Sequence, residues 1–332
     1  MKRILQLLVS VLLMASCSQT DMTNDYGFYH WRSKLNLSKT EQQLLNKSKV
    51  PNLYTRFFDV VKENNQFLEL GVISIDKDLS INKKIVPVIF ITNETWLHIK
   101  PNEIEFLANK INDYINRIQS NYKLNLENEI QIDSDWTAST KDDYFKFLKT
   151  LKKISHKNVT CTLRLHQVKD KLQTGIPPVE KMYLMCYATS SPLENQVQNS
   201  ILDVKTLKSY LKNIGAYTVK FDVALPIYSW GIVTNHVGRK KLINAVTAEE
   251  LMQNKNFRKI DNNNFEVLND DFYFGMYLNK GFKIKVEEIP EKDVIESIAF
   301  INEKLDYKPL LIYYHLDERF TKNYKTLLQW KN

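Results

Sequence analysis

The sequence predicts an α/β fold: a (β/α)8 barrel of the TIM type with a small insertion between its seventh strand and its last helix and strand. Three observations predict it. Short β-rich runs recur eight times, and longer amphipathic or polar stretches separate them, an alternation that builds a parallel sheet. The chain has 332 residues, and 316 once residues 1–16 are set aside as a leader, a length that suits one α/β barrel. Polar side chains share one phase near the ends of several runs, where barrels of this type gather them.

The elements follow in order. Residues 1–16 carry Lys2 and Arg3, then an apolar run from Ile4 to Ala15 broken only by Gln6 and Ser10. That is the pattern of a secretory signal, too short to span a bilayer. Leu13-Met14-Ala15-Ser16-Cys17 resembles the bacterial lipobox, which implies lipid attachment at Cys17 and a membrane partner through that anchor. Ser18, rather than an aspartate, follows the cysteine, so the expected location is the cell envelope, at the outer membrane. Residues 17–26 read as a polar tether and 27–332 as a single barrel domain.

The eight runs are GFYHW (27–31), NLYTRFF (52–58), IVPVIFIT (85–92), EIQIDSDW (129–136), TCTLRLHQ (160–167), MYLMCYAT (182–189), TVKFDVALPIYSW (218–230) and LLIYYHLD (310–317). Apolar residues at helical spacing mark 102–118, 141–154, 202–214 and 291–305. Ser139-Thr140 ahead of Asp142-Asp143 reads as a helix start with first-turn acids. From about 238 to 288 the rhythm changes to strand-like alternation around Asn269-Asp270 and Lys280-Gly281, which reads as the insertion.

Composition excludes several classes. The chain is 43% hydrophobic and 25% charged, a globular balance. Its formal charge of +8 drops to +6 when Lys2 and Arg3 leave with the leader. The cations are interspersed with acids and form no stripe, so no nucleic-acid partner is expected. No metal-ligand spacing and no phosphate-cradling glycine loop occurs, so no cofactor or metal is expected. Cys161 and Cys186 both fall in apolar runs and read as buried free thiols.

Strand phase carries the functional reading, because successive side chains alternate faces. In the fourth run Ile130, Ile132, Ser134 and Trp136 share one face, and Glu129, Gln131, Asp133 and Asp135 share the other. Arg164 and His166 share a phase in the fifth run, as do Tyr54, Arg56 and Phe58 in the second. Asp222, Tyr228 and Trp230 share one in the seventh. In the eighth, His315 and Asp317 oppose Ile312, Tyr314 and Leu316. Asp133, Arg164, Asp222 and His315 are therefore expected to point to the barrel axis. His30 and Trp31 close the first run, and Trp31, Trp136, Tyr187, Tyr228 and Trp230 fall at or near strand ends. Aromatic rings stack on the C–H faces of sugars while carboxylates and arginines hold the hydroxyls. The set reads as a carbohydrate cleft, with Asp133 and Asp135 as the candidate catalytic pair. The candidate substrate-binding residues are His30, Trp31, Arg56, Trp136, Arg164, His166, Tyr187, Asp222, Tyr228, Trp230, His315 and Asp317. The expected partner is a glycan.

The chain resembles the chitinase-like glycoside hydrolases of family 18. EIQIDSDWT is similar to their fourth-strand D-x-x-D-x-D-x-E motif, with Asp133 and Asp135 on its last two aspartates. MYLMCY is similar to their sixth-strand M-x-Y segment through Met185 and Tyr187, and ALPIYSWG to their seventh-strand segment through Pro226 and Tyr228. An insertion after the seventh strand also fits. The resemblance implies substrate-assisted hydrolysis, with Asp135 polarising an acetamido group. It also implies a general acid at the motif's final glutamate, and that position is Thr137, which cannot protonate a glycosidic oxygen near neutral pH. Asp222, His315 and Asp317 are the alternative donors by phase. Two functions follow from these residues: a membrane-anchored glycoside hydrolase-like barrel acting on or binding a glycan at the barrel's C-terminal face, or a non-catalytic glycan-binding or structural envelope lipoprotein.

Overall fold

The structure, a computed structural model, describes residues 24–76, 79–194 and 197–328. The signal segment, Cys17 and most of the tether lie outside the described residues. The last three tether residues belong to the barrel: Asn24 is buried, its amide donating to Pro309 O at 2.9 Å, and Tyr26 is the first residue of the first strand.

Eight parallel strands close the barrel: β1 (Tyr26–His30), β2 (Asn52–Glu63), β3 (Lys84–Ile91), β4 (Glu129–Ser134), β5 (Asn158–Arg164), β6 (Met182–Met185), β7 (Phe221–Pro226) and β8 (Leu311–Tyr314). Each pairs with the next, and β8 pairs with β1 to complete the ring. Beyond the ring, Gln66–Leu70 folds back antiparallel on the far half of β2.

The outer layer is helical, and the sequence shows why. In α1 (Lys39–Lys47) Ser38 and Glu41 form a capping box. The short α2 is Asn93–His98. In α3 (Ile104–Tyr122) the buried residues Ile104, Leu107, Ala108, Ile111, Ile115 and Ile118 make one stripe against the strands. In α4 (Lys141–Ser155) Tyr144, Phe147, Leu148 and Leu151 do the same. The remaining helices used below are α5 (Leu165–Lys169), α6 (Val204–Tyr210), α7 (Glu291–Lys304) and α8 (Glu318–Thr321). Helix α6 is shorter than the periodicity of 202–214 predicts; a 3-10 turn at Ile214–Ala216 takes over its end. Cys161 and Cys186 are free and buried.

The barrel interior is polar from bottom to top, although barrels of this kind are more often filled with aliphatic layers. At the base, Tyr183 donates to Glu129 at 2.7 Å and its hydroxyl shares a 2.9 Å hydrogen bond with that of Tyr54. Thr160 donates to the same Glu129 oxygen at 2.8 Å. One layer up, Gln131 donates to the Tyr29 hydroxyl at 2.7 Å. These contacts offset part of the few kcal/mol that an unpaired buried group costs, although Gln131 Oε1 is left without a partner.

The insertion starts earlier than position 238. The run 218–230 is two strands, not one: β7 ends at Pro226, and Trp230–Thr234 opens a five-stranded antiparallel sheet with Lys240–Asn244, Lys283–Glu287, Asn264–Val267 and Phe257–Lys259. Pro226 pairs with Tyr314, and Ile227 N still donates to Tyr314 O at 2.8 Å before the chain leaves the barrel. The sheet has a small core of its own, with Phe265, Val267, Ile284 and Val286 among its buried residues. A two-stranded hairpin, Asp271–Tyr273 with Met276–Leu278, projects from it.

Candidate functional site

At the C-terminal ends of the strands the barrel opens into a cavity of about 590 Å³. Strand register explains what reaches it. Gln131, next to Val88, and Asp133, next to Phe90, point inward from β4. Asp133 is 2% exposed, and Thr162 on β5 donates to it at 2.7 Å. Arg164 ends β5 on the same side, its guanidinium 3.8 Å from Asp133 and in direct contact with Asp135. Burial pushes the Asp133 carboxyl up, Arg164 opposes that, and Asp135 adds to it.

Strand β2 supplies a second ion pair. An extra residue at Phe57 shifts its register, so Arg56 stands beside Val88 and Asp59 beside Phe90. Two residues three apart thereby share the inner face. Arg56 Nε donates to Asp59 at 2.7 Å, with a second, shorter contact from the same guanidinium. The bulge also turns Phe58 outward, where its ring meets Tyr114 of α3 at 4.8 Å.

Aromatic rings form the opposite wall. Tyr314, at the end of β8, is the hub. It stacks on Tyr187 at 5.3 Å and meets Trp31 at 5.4 Å and Tyr228 at 5.5 Å, and Tyr228 in turn meets Trp230 at 5.5 Å. The Tyr187 hydroxyl is buried with no hydrogen-bond partner. Two alanines of this wall, Ala188 at φ 55° and Ala245 at φ 61°, take the left-handed conformation, which costs a non-glycine residue about 1 kcal/mol. Such strain clusters at functional sites.

The structure therefore brings together Trp31, Arg56, Asp133, Arg164, Tyr187, Tyr228, Trp230 and His315 around one cavity. It separates the others. Asp135 lies past the end of β4 at the rim, 47% exposed, gripped by Arg164. Trp136 is a correction: it packs fully buried between barrel and helix, stacked on Tyr144 at 5.1 Å, its indole donating to Thr174 O at 3.0 Å. Its outward phase with Ile130 and Ile132 was the signal. Asp222 is inward but at the wrong end, since it is the second residue of β7; it pairs with Lys181 at 2.6 Å and accepts from Leu310 N. Phase gives direction, not height. His166 is on α5, because the strand stops at Arg164, and it is exposed. His30 is wholly buried outside the cavity, where burial lowers it to about 3. Asp317 caps α8 and holds Arg319, also outside the cavity.

Four cavity residues escaped sequence reasoning for identifiable reasons. Asp59 needs the bulge. Phase alone puts Tyr314 outward with Ile312, but β8 runs the other way round: Tyr314 pairs with Pro226 and touches Tyr29 in the lumen, while Tyr313 packs outward. An apolar residue inside a barrel defeats the assumption that apolar means outward. Arg32 and Arg319 lie off the strands altogether.

Thr137 is exposed and tied into the turn before α4, its hydroxyl 2.9 Å from that of Ser139. It does not line the cavity. Among the described residues no group of three His, Cys, Asp or Glu side chains is placed to hold a metal ion.

Solved structures similar to this one include chitinase-like barrels. The C-terminal domain of a putative chitinase from Desulfitobacterium hafniense is 13% identical, with a TM-score of 0.56 over 92% of this chain and 99% of that one. The spore cortex-lytic enzyme of Bacillus cereus is 15% identical, with a TM-score of 0.55 over 92% and 73%. A family 18 N-acetylglucosaminidase from Paenibacillus barengoltzii is 12% identical, with a TM-score of 0.52 over 92% and 99%. At these identities the likeness is one of fold. No protein-family model and no curated protein matches the sequence.

Proposed function

We propose that this protein is a glycan-binding barrel that does not hydrolyse its ligand. One observation carries the reading. The cavity carboxylates Asp59 and Asp133 each lie against a guanidinium, as does Asp135 at the rim, and the position where a general acid would stand is the exposed Thr137. Glycoside hydrolysis needs a carboxylic acid within reach of the glycosidic oxygen. A guanidinium engages each of these carboxylates, which draws their oxygens away from a glycosidic oxygen. Binding needs only what the cavity keeps, an aromatic wall facing polar side chains.

The ligand class follows by analogy with proteins of the same fold, which include chitinases, an N-acetylglucosaminidase and a chitinase domain from Ostrinia furnacalis solved with a penta-N-acetylchitooligosaccharide. An oligosaccharide of N-acetylhexosamines is the natural candidate. Attachment of lipid to Cys17 would hold the barrel at the bacterial cell envelope, within reach of such polymers. The support for that location is the leader sequence alone.

The test joins calorimetry with product analysis on N-acetylglucosamine oligomers. The parent should bind without producing shorter sugars. Tyr314→Ala should weaken binding about fivefold, the worth of roughly 1 kcal/mol of ring contact. Cleavage by the parent that Asp135→Asn abolishes would establish an enzyme instead. No binding to any glycan would overturn the proposal.

A further inference from the structure

Four arginines line the cavity: Arg32, Arg56, Arg164 and Arg319. Arg56 and Arg164 share it with their acids, Asp59 and Asp133. Arg32 and Arg319 do not. Their carboxylates lie behind them in the protein: Glu41 is 1% and Asp317 2% exposed, whereas Arg32 is 31% and Arg319 53% exposed. Each pair is a dipole with its positive end turned to the opening.

Both arginines are anchored. Glu41 accepts from Arg32 at 2.8 Å and from Ser38 N at 3.0 Å with one oxygen, and from Glu318 N at 3.2 Å with the other. Asp317 takes Arg319 N at 3.0 Å, its Nε at 2.9 Å and its Nη2 at 2.6 Å. Glu41 thus ties the β1–α1 loop to α8 and brings the two cations to one corner. His315 lies in that corner, close enough for both arginines to act on it. Burial holds its imidazole low, at about 4; Asp317 opposes this and the two arginines add to it, so it is neutral at pH 7, and its buried Nδ1 has no hydrogen-bond partner.

A neutral N-acetylhexosamine oligomer has no use for two guanidinium groups, one half-buried and one exposed, whose counter-charges are buried. An anion does, because each guanidinium keeps N–H donors beyond those its own carboxylate takes, and these suit carboxylate oxygens. We propose that Arg32, His315 and Arg319 form an anion subsite that takes the carboxylate of an acidic saccharide. The proposal rests on the glycan-binding reading and names its ligand class.

Calorimetry on the mature protein tests it with three probes: the disaccharide N-acetylglucosaminyl-N-acetylmuramic acid, the same disaccharide with its carboxyl amidated, and diacetylchitobiose. The acid should bind about tenfold more tightly than its amide, the worth of one charge-assisted contact of about 1.4 kcal/mol. That preference should shrink to about twofold in Arg319→Gln and Arg32→Gln, and persist in Arg319→Lys, which keeps the charge over Asp317. Equal binding of acid and amide by the parent, or an undiminished preference in both Gln variants, overturns the subsite while leaving the glycan reading intact. If none of the three sugars binds, both fall.

Discussion

Replacing Arg164 with methionine isolates the central ion pair. Methionine keeps the volume of the stem and removes the guanidinium. Asp133 then remains 2% exposed, with the Thr162 hydroxyl still donating to it but no cation beside it, and with Asp135 nearby. Removing one partner of a buried pair costs about 3–5 kcal/mol, mostly the stranded charge. The Asp135 contact adds little, since that carboxylate is 47% exposed and solvent screens it. The expected loss is about 3–4 kcal/mol near pH 7.5, or a fall of about 5–6 °C in Tm for a domain of this size.

Two controls sharpen the Arg164→Met test. Adding Asp133→Asn should recover at least half of the loss, because no buried charge is then left. Asp133 also titrates in a direction that fixes the pH dependence. Its pKa is above the usual 3.8 in the folded protein, so the folded state binds the proton more tightly. The cost of its charge is absent below about 3.8, grows as pH rises, and is fully present above the raised folded value. Without Arg164 that value climbs further, so the variant's deficit should be smaller at pH 5 than at pH 8. Urea denaturation of the single and double variants at both pH values is the assay. A loss under about 1 kcal/mol, or a double variant no more stable than the single, would refute the argument, because a stranded charge cannot be that cheap.

Three further outcomes are expected. Trp136→Ala should cost about 3–5 kcal/mol by leaving a cavity beside Tyr144, yet the folded fraction should bind ligand as the parent does; a change in affinity without a change in stability would return Trp136 to the site. Gly71→Ala should destabilise by about 1–2 kcal/mol and loosen the Arg56–Asp59 pair. Its φ is +55°, and a Cβ there would lie 2.6 Å from Arg56 Nη2; an unchanged Tm would contradict this. Cys17→Ala should shift the protein out of the membrane fraction, and a variant that fractionates like the parent would dismiss the lipid anchor.

What could be read from the sequence follows from what repeats. The barrel was legible because eight apolar runs and four amphipathic helices obey two periods, 2 and 3.6, that differ clearly. Asp133, Arg164 and the wall of Trp31, Tyr187, Tyr228 and Trp230 were legible because each lies at or near the end of such a run. The rest depended on features without a period. One extra residue at Phe57 carried Asp59 inward. β7 ended at Pro226, which left Trp230 to the insertion. Asp222 had the right phase, but its position in the run put it at the base. Arg32 and Arg319 reach the cavity from segments where alternation says nothing, and only the fold brings Glu41 beside Glu318.

That last contact joins residues 277 apart in the chain. The barrel's first and last strands meet at the same seam. A protein synthesised from its N-terminus would display Arg32 long before Arg319 existed. Closure over so long a loop is slow and comes late in folding. The corner holding both arginines is therefore a mark of completion. A chain clipped just after Tyr314 would keep much of the aromatic wall and the Asp133–Arg164 pair, yet lose half of its cationic corner. Ligand discrimination would report whether the whole polypeptide had arrived.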